Sequence, residues 1–135
     1  MPVQCTEAEW KIMEVLWENA PRTMAEITKA LEPATGWTRH TVITLLKRMR
    51  DKGSVVVDES GDVKRYTPRI SRGEATSDQT RRFLSRVFSG KATLLINSLV
   101  DSGEISVDEM REMVDLMQSE DKEVRRKAYA YRDDL

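Results

Sequence analysis

Residues 37–53 read WTRHTVITLLKRMRDKG, and the two faces of that stretch decide how the rest of the chain is read. Val42, Leu45, Leu46 and Met49 recur at helical spacing and predict one inward face. Thr38, Arg39, His40, Thr41, Thr44, Lys47 and Arg48 fall on or near the opposite side. Short hydroxyls beside long cations suit a surface that meets base edges and phosphates together. Gly53 ends the helix, and SVVVDESGDVKRYTP follows as two strand-like runs about a turn at Ser60, Gly61 and Asp62, with Lys64 and Arg65 beside it. A basic amphipathic helix followed by a basic hairpin is the sequence shape of a winged helix.

Upstream, the punctuation is chemical. Thr6 with Glu9, Thr23 with Glu26, Ser71 with Glu74 and Ser106 with Glu109 each place a hydroxyl three residues before a carboxylate. Such a pair caps a helix reciprocally: the hydroxyl accepts from a free N–H of the first turn and the carboxylate reaches back to the cap. The first helix is expected over about Thr6 to Asn19, with Trp10, Ile12, Met13, Val15, Leu16 and Trp17 as its apolar surface, and Pro21 ends it. Trp10 and Trp17 are two turns apart, hence on one face, and are read as core. The second helix is expected from about Thr23 to Leu31, with Met24, Ile27 and Leu31 inward and a break formed by Pro33 and Gly36. A short helix, a turn and a basic amphipathic helix is the helix-turn-helix order.

Downstream, Ser71 to about Ser89 reads as a helix with Phe83, Leu84, Val87 and Phe88 as its stripe, stopped by Gly90. ATLLINSLVDSG gives a compact, very apolar helix ending at Gly103, and the next runs from Ser106 to about Ser119. Three short helices this apolar have little chain with which to cover themselves, so a partner copy is expected to complete their core. The dimerisation residues assigned on this ground are Phe83, Val87, Leu94, Leu95, Leu99, Met110, Met113, Val114 and Met117. The fold class is therefore mainly α with a small β-hairpin wing: an N-terminal winged helix-turn-helix over residues 1–70, a C-terminal three-helix dimerisation segment over 71–119, and a tail at 120–135. In that tail Val124, Ala128 and Tyr131 keep a loose helical spacing.

Charge matters here by position. The 135 residues carry a formal net charge of −1, which makes no case for nucleic acid. Residues 37–52, however, hold Arg39, Lys47, Arg48, Arg50 and Lys52 against Asp51 alone, a local +4. A local basic surface is what a groove reader needs. Residues 71–135 hold 11 basic and 13 acidic side chains, which suits a segment facing protein. Arg39, His40, Thr41 and Thr44 are assigned to base edges, and Thr38, Lys47, Arg48, Lys64 and Arg65 to phosphates.

Single occurrences exclude several chemistries. Cys5 is the one cysteine and His40 the one histidine, so there is no intrachain disulfide and no Cys/His set for structural zinc. No nucleophile–base pair or marked carboxylate pair suggests an enzyme, and no metal or cofactor is expected. No run approaches the roughly 18 apolar residues of a spanning helix, and the start lacks a charged leader with an apolar core, so the expectation is a cytoplasmic protein without membrane insertion. From another class, the competing reading is a winged-helix protein-interaction module without specific DNA binding.

The motifs TEAEWKIMEVLW, WTRHTVITLLKRMRDKG and VKRYTPRIS together resemble the penicillinase repressor (BlaI/MecI) family of bacterial transcriptional regulators, over about Thr6 to Gln118. The resemblance implies a homodimeric winged-helix repressor on a palindromic DNA operator, silencing genes of β-lactam resistance or a related stress response. It also implies intertwined C-terminal helices and a membrane-bound sensor protease as partner, with cleavage in the dimerisation segment near Asn97, Ser98 and Leu99. The sequence departs from the staphylococcal pattern in having Ser98 where Phe follows Asn. Ile43 stands where the methicillin-resistance repressor has Arg, which implies a different operator, since an aliphatic side chain presses on a thymine methyl but makes no bidentate contact to guanine. The cysteine motif of the copper-responsive branch is missing, and with it the thiolate ligands of a copper sensor.

Overall fold

The four Ser/Thr-x-x-Glu pairs each open a helix in the computed structural model, which describes residues 4–119. Helix α1 spans Glu7–Glu18, α2 Met24–Thr35, α4 Arg72–Phe88 and α6 Val107–Met117. At α1, the Glu9 N–H donates to Thr6 Oγ1 at 3.2 Å and the Thr6 N–H donates to Glu9 Oε1 at 2.9 Å. The same reciprocal pattern closes the starts at Thr23, Ser71 and Ser106. Two further helices, α3 over Arg39–Lys52 and α5 over Ala92–Asp101, lack a capping box.

Three strands accompany them: β1 at Arg22–Thr23, β2 at Val55–Asp58 and β3 at Arg65–Pro68, in the antiparallel order β1-β3-β2. The sequence predicts only the β2–β3 hairpin. The extra strand follows from the cap of α2: Thr23 must be extended to cap that helix, at φ −80° and ψ 162°. Arg22 and Thr23 then lie opposite Tyr66 and Arg65. A two-residue strand has no alternation for a sequence to display. Along the hairpin Val57 pairs with Tyr66 and Val55 with Pro68. Val55 and Tyr66 point into the core while Val56, Asp58, Arg65 and Thr67 are exposed on the other side.

A second correction concerns Pro33, which lies inside α2 rather than breaking it. Its missing N–H falls in the last turn, so it leaves a single carbonyl, that of exposed Lys29, without its helical partner. The helix continues to Gly36, whose φ of +64° ends it and whose N–H donates to Glu32 O at 2.9 Å.

The described residues fall into two compact units, the first reaching Ala75 and the second beginning at Thr76, inside α4. The first has a single core in which Ile12, Met13 and Leu16 of α1, Ile27 and Leu31 of α2, and Val42, Leu45, Leu46 and Met49 of α3 meet Val55 and Tyr66 of the sheet. Trp10 and Trp17 pack edge to face with centroids 5.1 Å apart at the margin of this core. Trp17 also donates its indole N–H to Ile70 O at 2.9 Å, and the Arg72 guanidinium lies 5.4 Å above its ring. These contacts fasten the start of α4 to α1.

In the second unit α5 and α6 have no buried residue. Phe83 and Phe88 pack edge to face at 5.9 Å. Large apolar side chains remain exposed: Phe83, Val87, Leu94, Ile96, Val107, Val114 and Met117. Leu95, Leu99, Met110 and Met113 are half-buried. The tail expected at 120–135 lies outside the described residues.

Candidate nucleic-acid interface

Helix α3 is set by its two ends. Thr38, extended at φ −81° and ψ 165°, accepts from the Thr41 N–H at 3.4 Å, and its hydroxyl lies 3.4 Å from that of Thr41. At the other end Gly53 adopts φ +86°, and its N–H turns back to Arg50 O at 3.1 Å. Buried Ser54 then donates its N–H and hydroxyl to Met49 O, at 2.9 and 3.1 Å, and accepts from the Arg69 N–H at 2.9 Å. The chain is thereby fixed in direction as it enters β2.

With Val42, Leu45, Leu46 and Met49 buried, a rotation of about 100° per residue sorts the remaining positions into three rows. His40, Thr44, Lys47 and Asp51 point directly away from the core. Arg39, Ile43 and Arg50 turn toward the wing. Thr41, Arg48 and Lys52 turn toward α1. The hydroxyl of Thr44 donates to His40 O at 2.9 Å, so what it offers outward is acceptor capacity and a methyl group.

The wing-side row forms one wall of a groove of about 640 Å³, lined on α3 by Arg39, Ile43, Lys47, Arg50 and Asp51 and on the wing by Asp62, Val63 and Lys64. Met24, Leu46 and Tyr66 contribute to its apolar lining. Arg39 and Lys47 make no ion pair among the described residues. Arg50 and Lys64 both approach Glu59 of the wing loop, at 3.5 and 3.4 Å.

On the α1 side the cations are occupied differently. Glu9 is fully buried; Lys52 pairs with its Oε1 and Arg48 Nη2 stands 3.6 Å from its Oε2. Lys52 also donates to Gln4 O at 2.8 Å. Burial pushes the Glu9 carboxyl up, but the Lys52 hydrogen bond, the Thr6 N–H and the lysine charge outweigh it and hold the group below its ordinary value.

The nine residues assigned from sequence thus separate. Arg39, Lys47 and Lys64 converge on the groove, and His40 and Thr44 project from the outward row. Thr38 and half-buried Thr41 belong to the helix cap. Arg48 is turned to Glu9. Arg65 lies on the exposed face of β3, where its charge helps to lower the pKa values of Glu26 and Asp58, after the dominant hydrogen bonds from Thr23 and Ser60 respectively. Sequence reasoning did not single out Arg50, Glu59, Asp51 or Asp62 as lining or closing this surface. A period of 3.6 applied to Arg50 and Asp51 carries that information, but the position of Glu59 depends on how the wing folds back. The residues of the expected cleavage segment lie on α5, with Asn97 and Ser98 exposed and Leu99 half-buried. Among the described residues there is no cluster of three or more metal-ligating side chains and no helix long and apolar enough to cross a membrane.

Comparison with known proteins agrees with this geometry. The penicillinase repressor of Bacillus licheniformis is 26% identical over 115 residues, covering 85% of this chain and 90% of that protein. The methicillin resistance regulatory protein MecI of Staphylococcus aureus is 20% identical over 114 residues, covering 84% and 93%. The solution structure of the DNA-binding domain of the repressor BlaI superposes with a TM-score of 0.50 at 30% identity, covering 55% of this chain and 90% of that one. The matching family is one of transcriptional repressors, not of enzymes. Because the pattern of the family described as Penicillinase repressor spans residues 5–119, from the buried Cys5 to two residues past the end of α6, the chain belongs to the penicillinase repressor family.

Proposed function

We infer that this chain is a sequence-specific DNA-binding transcriptional repressor, with α3 lying in the major groove and the wing reaching phosphates or the minor groove. The observation that carries the reading is the outward row of α3 continuing into a groove whose rim holds Arg39, Lys47, Arg50 and Lys64, while the opposite face is wholly core. Family membership supports it independently. Arg39 and His40 are proposed to donate to base edges. Thr44 accepts from an exocyclic amine or places its methyl against a thymine, and half-buried Ile43 adds an apolar contact. Thr41, half-buried in the first turn of α3 on its α1 side, is proposed to read a base edge at that end of the helix. Phosphates fall to Lys47 and Arg65, to Lys64 where it parts from Glu59, and to the N-terminus of α3 through its free N–H groups beside Thr38.

The exposed apolar surfaces of α4 to α6 support a homodimer, placing two readers on a palindrome with half-sites about one helical turn apart or a multiple of it. Such a protein works in the cytoplasm. Exposed Asn97 and Ser98 support a cut in the dimerisation segment by a membrane-bound sensor protease, and genes of β-lactam resistance or a related stress response are the proposed targets.

The test is binding to the gene's own upstream region, against random duplex and over a range of salt. The expected log–log slope is about −0.9 per neutralised phosphate. Arg39→Ala is expected to lose about 1 to 3 kcal/mol of discrimination, and Lys47→Ala to weaken both duplexes alike. A slope near zero, or no preference over competitor DNA, overturns the reading in favour of a protein-interaction module.

A further inference from the structure

One carboxylate oxygen stands between the recognition helix and the wing. Glu59 Oε1 is 3.5 Å from Arg50 Nη1 and 3.4 Å from Lys64 Nζ. Arg50 comes from the last turns of α3, Glu59 from the start of the wing loop and Lys64 from its end. The bridge therefore joins Arg50 on the α3 wall to Lys64 on the wing wall of the groove in which DNA is proposed to lie. All three side chains are more than half exposed, and exposed pairs of this kind add little to folding stability. The consequence of the bridge is thus to be sought at the surface. The other acids of the groove, Asp51 and Asp62, make no ion pair among the described residues.

We propose that Glu59 is an electrostatic mask on the DNA-facing surface, withholding Arg50 and Lys64 from phosphate and so setting an upper limit on affinity for any duplex. The inference rests on the DNA-binding reading of α3 and the wing. A phosphate that approaches Arg50 or Lys64 must displace the Glu59 carboxylate or settle close beside it. At physiological salt, where screening acts over about 8 Å, either course weakens binding. Cations that stay with Glu59 neutralise no phosphate and release no counterions, so the mask also flattens the salt dependence. Glu59 belongs to neither the His40, Thr44 and Lys47 row nor the Arg39 and Ile43 wall. Its effect is therefore on affinity, not on which sequence is preferred.

The experiment compares the full-length protein with Glu59→Gln and with Glu14→Gln, the same charge change at an exposed position of α1. The probes are a duplex from the gene's own upstream region and a random duplex of equal length, each titrated across salt. Glu59→Gln is expected to tighten binding to both duplexes by about 3- to 10-fold near 0.1 M salt and to steepen the slope by about 1 to 2. The ratio between the duplexes and the thermal midpoint stay unchanged. Glu14→Gln moves none of these by more than about twofold, and in an Arg50→Ala/Lys64→Ala background Glu59→Gln brings no gain. The proposal is overturned by unchanged affinity and slope in Glu59→Gln, by an equal gain in Glu14→Gln, or by a gain that survives removal of both cations. Wild-type protein that ignores DNA altogether overturns the DNA-binding reading itself, a result plainly different from wild-type binding that Glu59→Gln leaves unaltered.

Discussion

Glu9 does three things with one side chain. It caps α1, it anchors the last turn of α3 through Lys52, and it turns Arg48 away from the outward row. The first of these is local and follows from Thr6 standing three residues before it. The other two join positions 43 and 39 residues apart. Loss of a charged hydrogen-bond acceptor buried in such a position costs about 2 kcal/mol, and Glu9→Gln is expected to lower the denaturant midpoint accordingly. The acid limb gives a separate check. Because the folded-state pKa lies below the ordinary 4.5, the carboxylate's contribution is fully present above that value and is lost as pH falls through the folded pKa. Stability profiles of the wild type and Glu9→Gln should therefore converge as the solution is acidified. Parallel profiles down to the end of the acid limb would count against the pairing.

Among the elements, α3 and the hairpin are held in register by the turn between them. Gly53 has φ +86°, and a Cβ there would meet only Arg69 Nη1 at 3.9 Å. The requirement for glycine is thus one of backbone conformation, not of space. Gly53→Ala is expected to destabilise by about 1 kcal/mol, the cost of a left-handed residue with a Cβ. In urea the midpoint should fall with the slope unchanged. A neutral substitution would mean that the turn can open another way. The same turn delivers β2 to β3 and so brings Lys64 and Glu59 to Arg50, which places the geometry of the groove under the control of a residue that does not line it.

For the whole molecule, the contrast between the two units is the main physical fact. The first buries a continuous apolar core among three helices and three strands, with Val56 and Val63 left exposed on the wing; the second buries no residue of α5 or α6 and leaves Leu94 at 46% and Val114 at 50% exposure, along with several neighbours. Covering them with a second copy would tether two DNA readers, and binding of one half-site would then raise the effective concentration for the other, adding on the order of 100-fold in avidity. Intact protein is expected to sediment as a dimer, and Leu94→Glu with Val114→Glu as a monomer. The double variant should keep its affinity for an isolated half-site and lose about 100-fold on the palindrome. Monomeric wild type, or a monomeric variant that holds the palindrome as tightly, would sink the dimer. The proposed cut near Asn97 to Leu99 would act through the same arithmetic, without any change in α3.

The sequence by itself determined what depends on near neighbours. Caps at Thr6, Thr23, Ser71 and Ser106, the inward row of α3, the glycine ends of helices and the hairpin all follow from interactions within a few residues, and periodicity records them directly. Tertiary structure alone decided what depends on distant partners. It added β1, because Arg22 and Thr23 become a strand only when β3 lies beside them. It kept Pro33 inside α2, because an exposed carbonyl tolerates the missing donor. It also divided a local charge of +4 among different tasks: Lys52 and Arg48 to buried Glu9, Arg50 to Glu59, and Arg39 and Lys47 to the open groove. A sequence shows that cations are concentrated in one helix; which of them remain available to phosphate is set by the carboxylates that the fold brings within about 4 Å of them, and those come from residues 9 and 59, far outside any helical period.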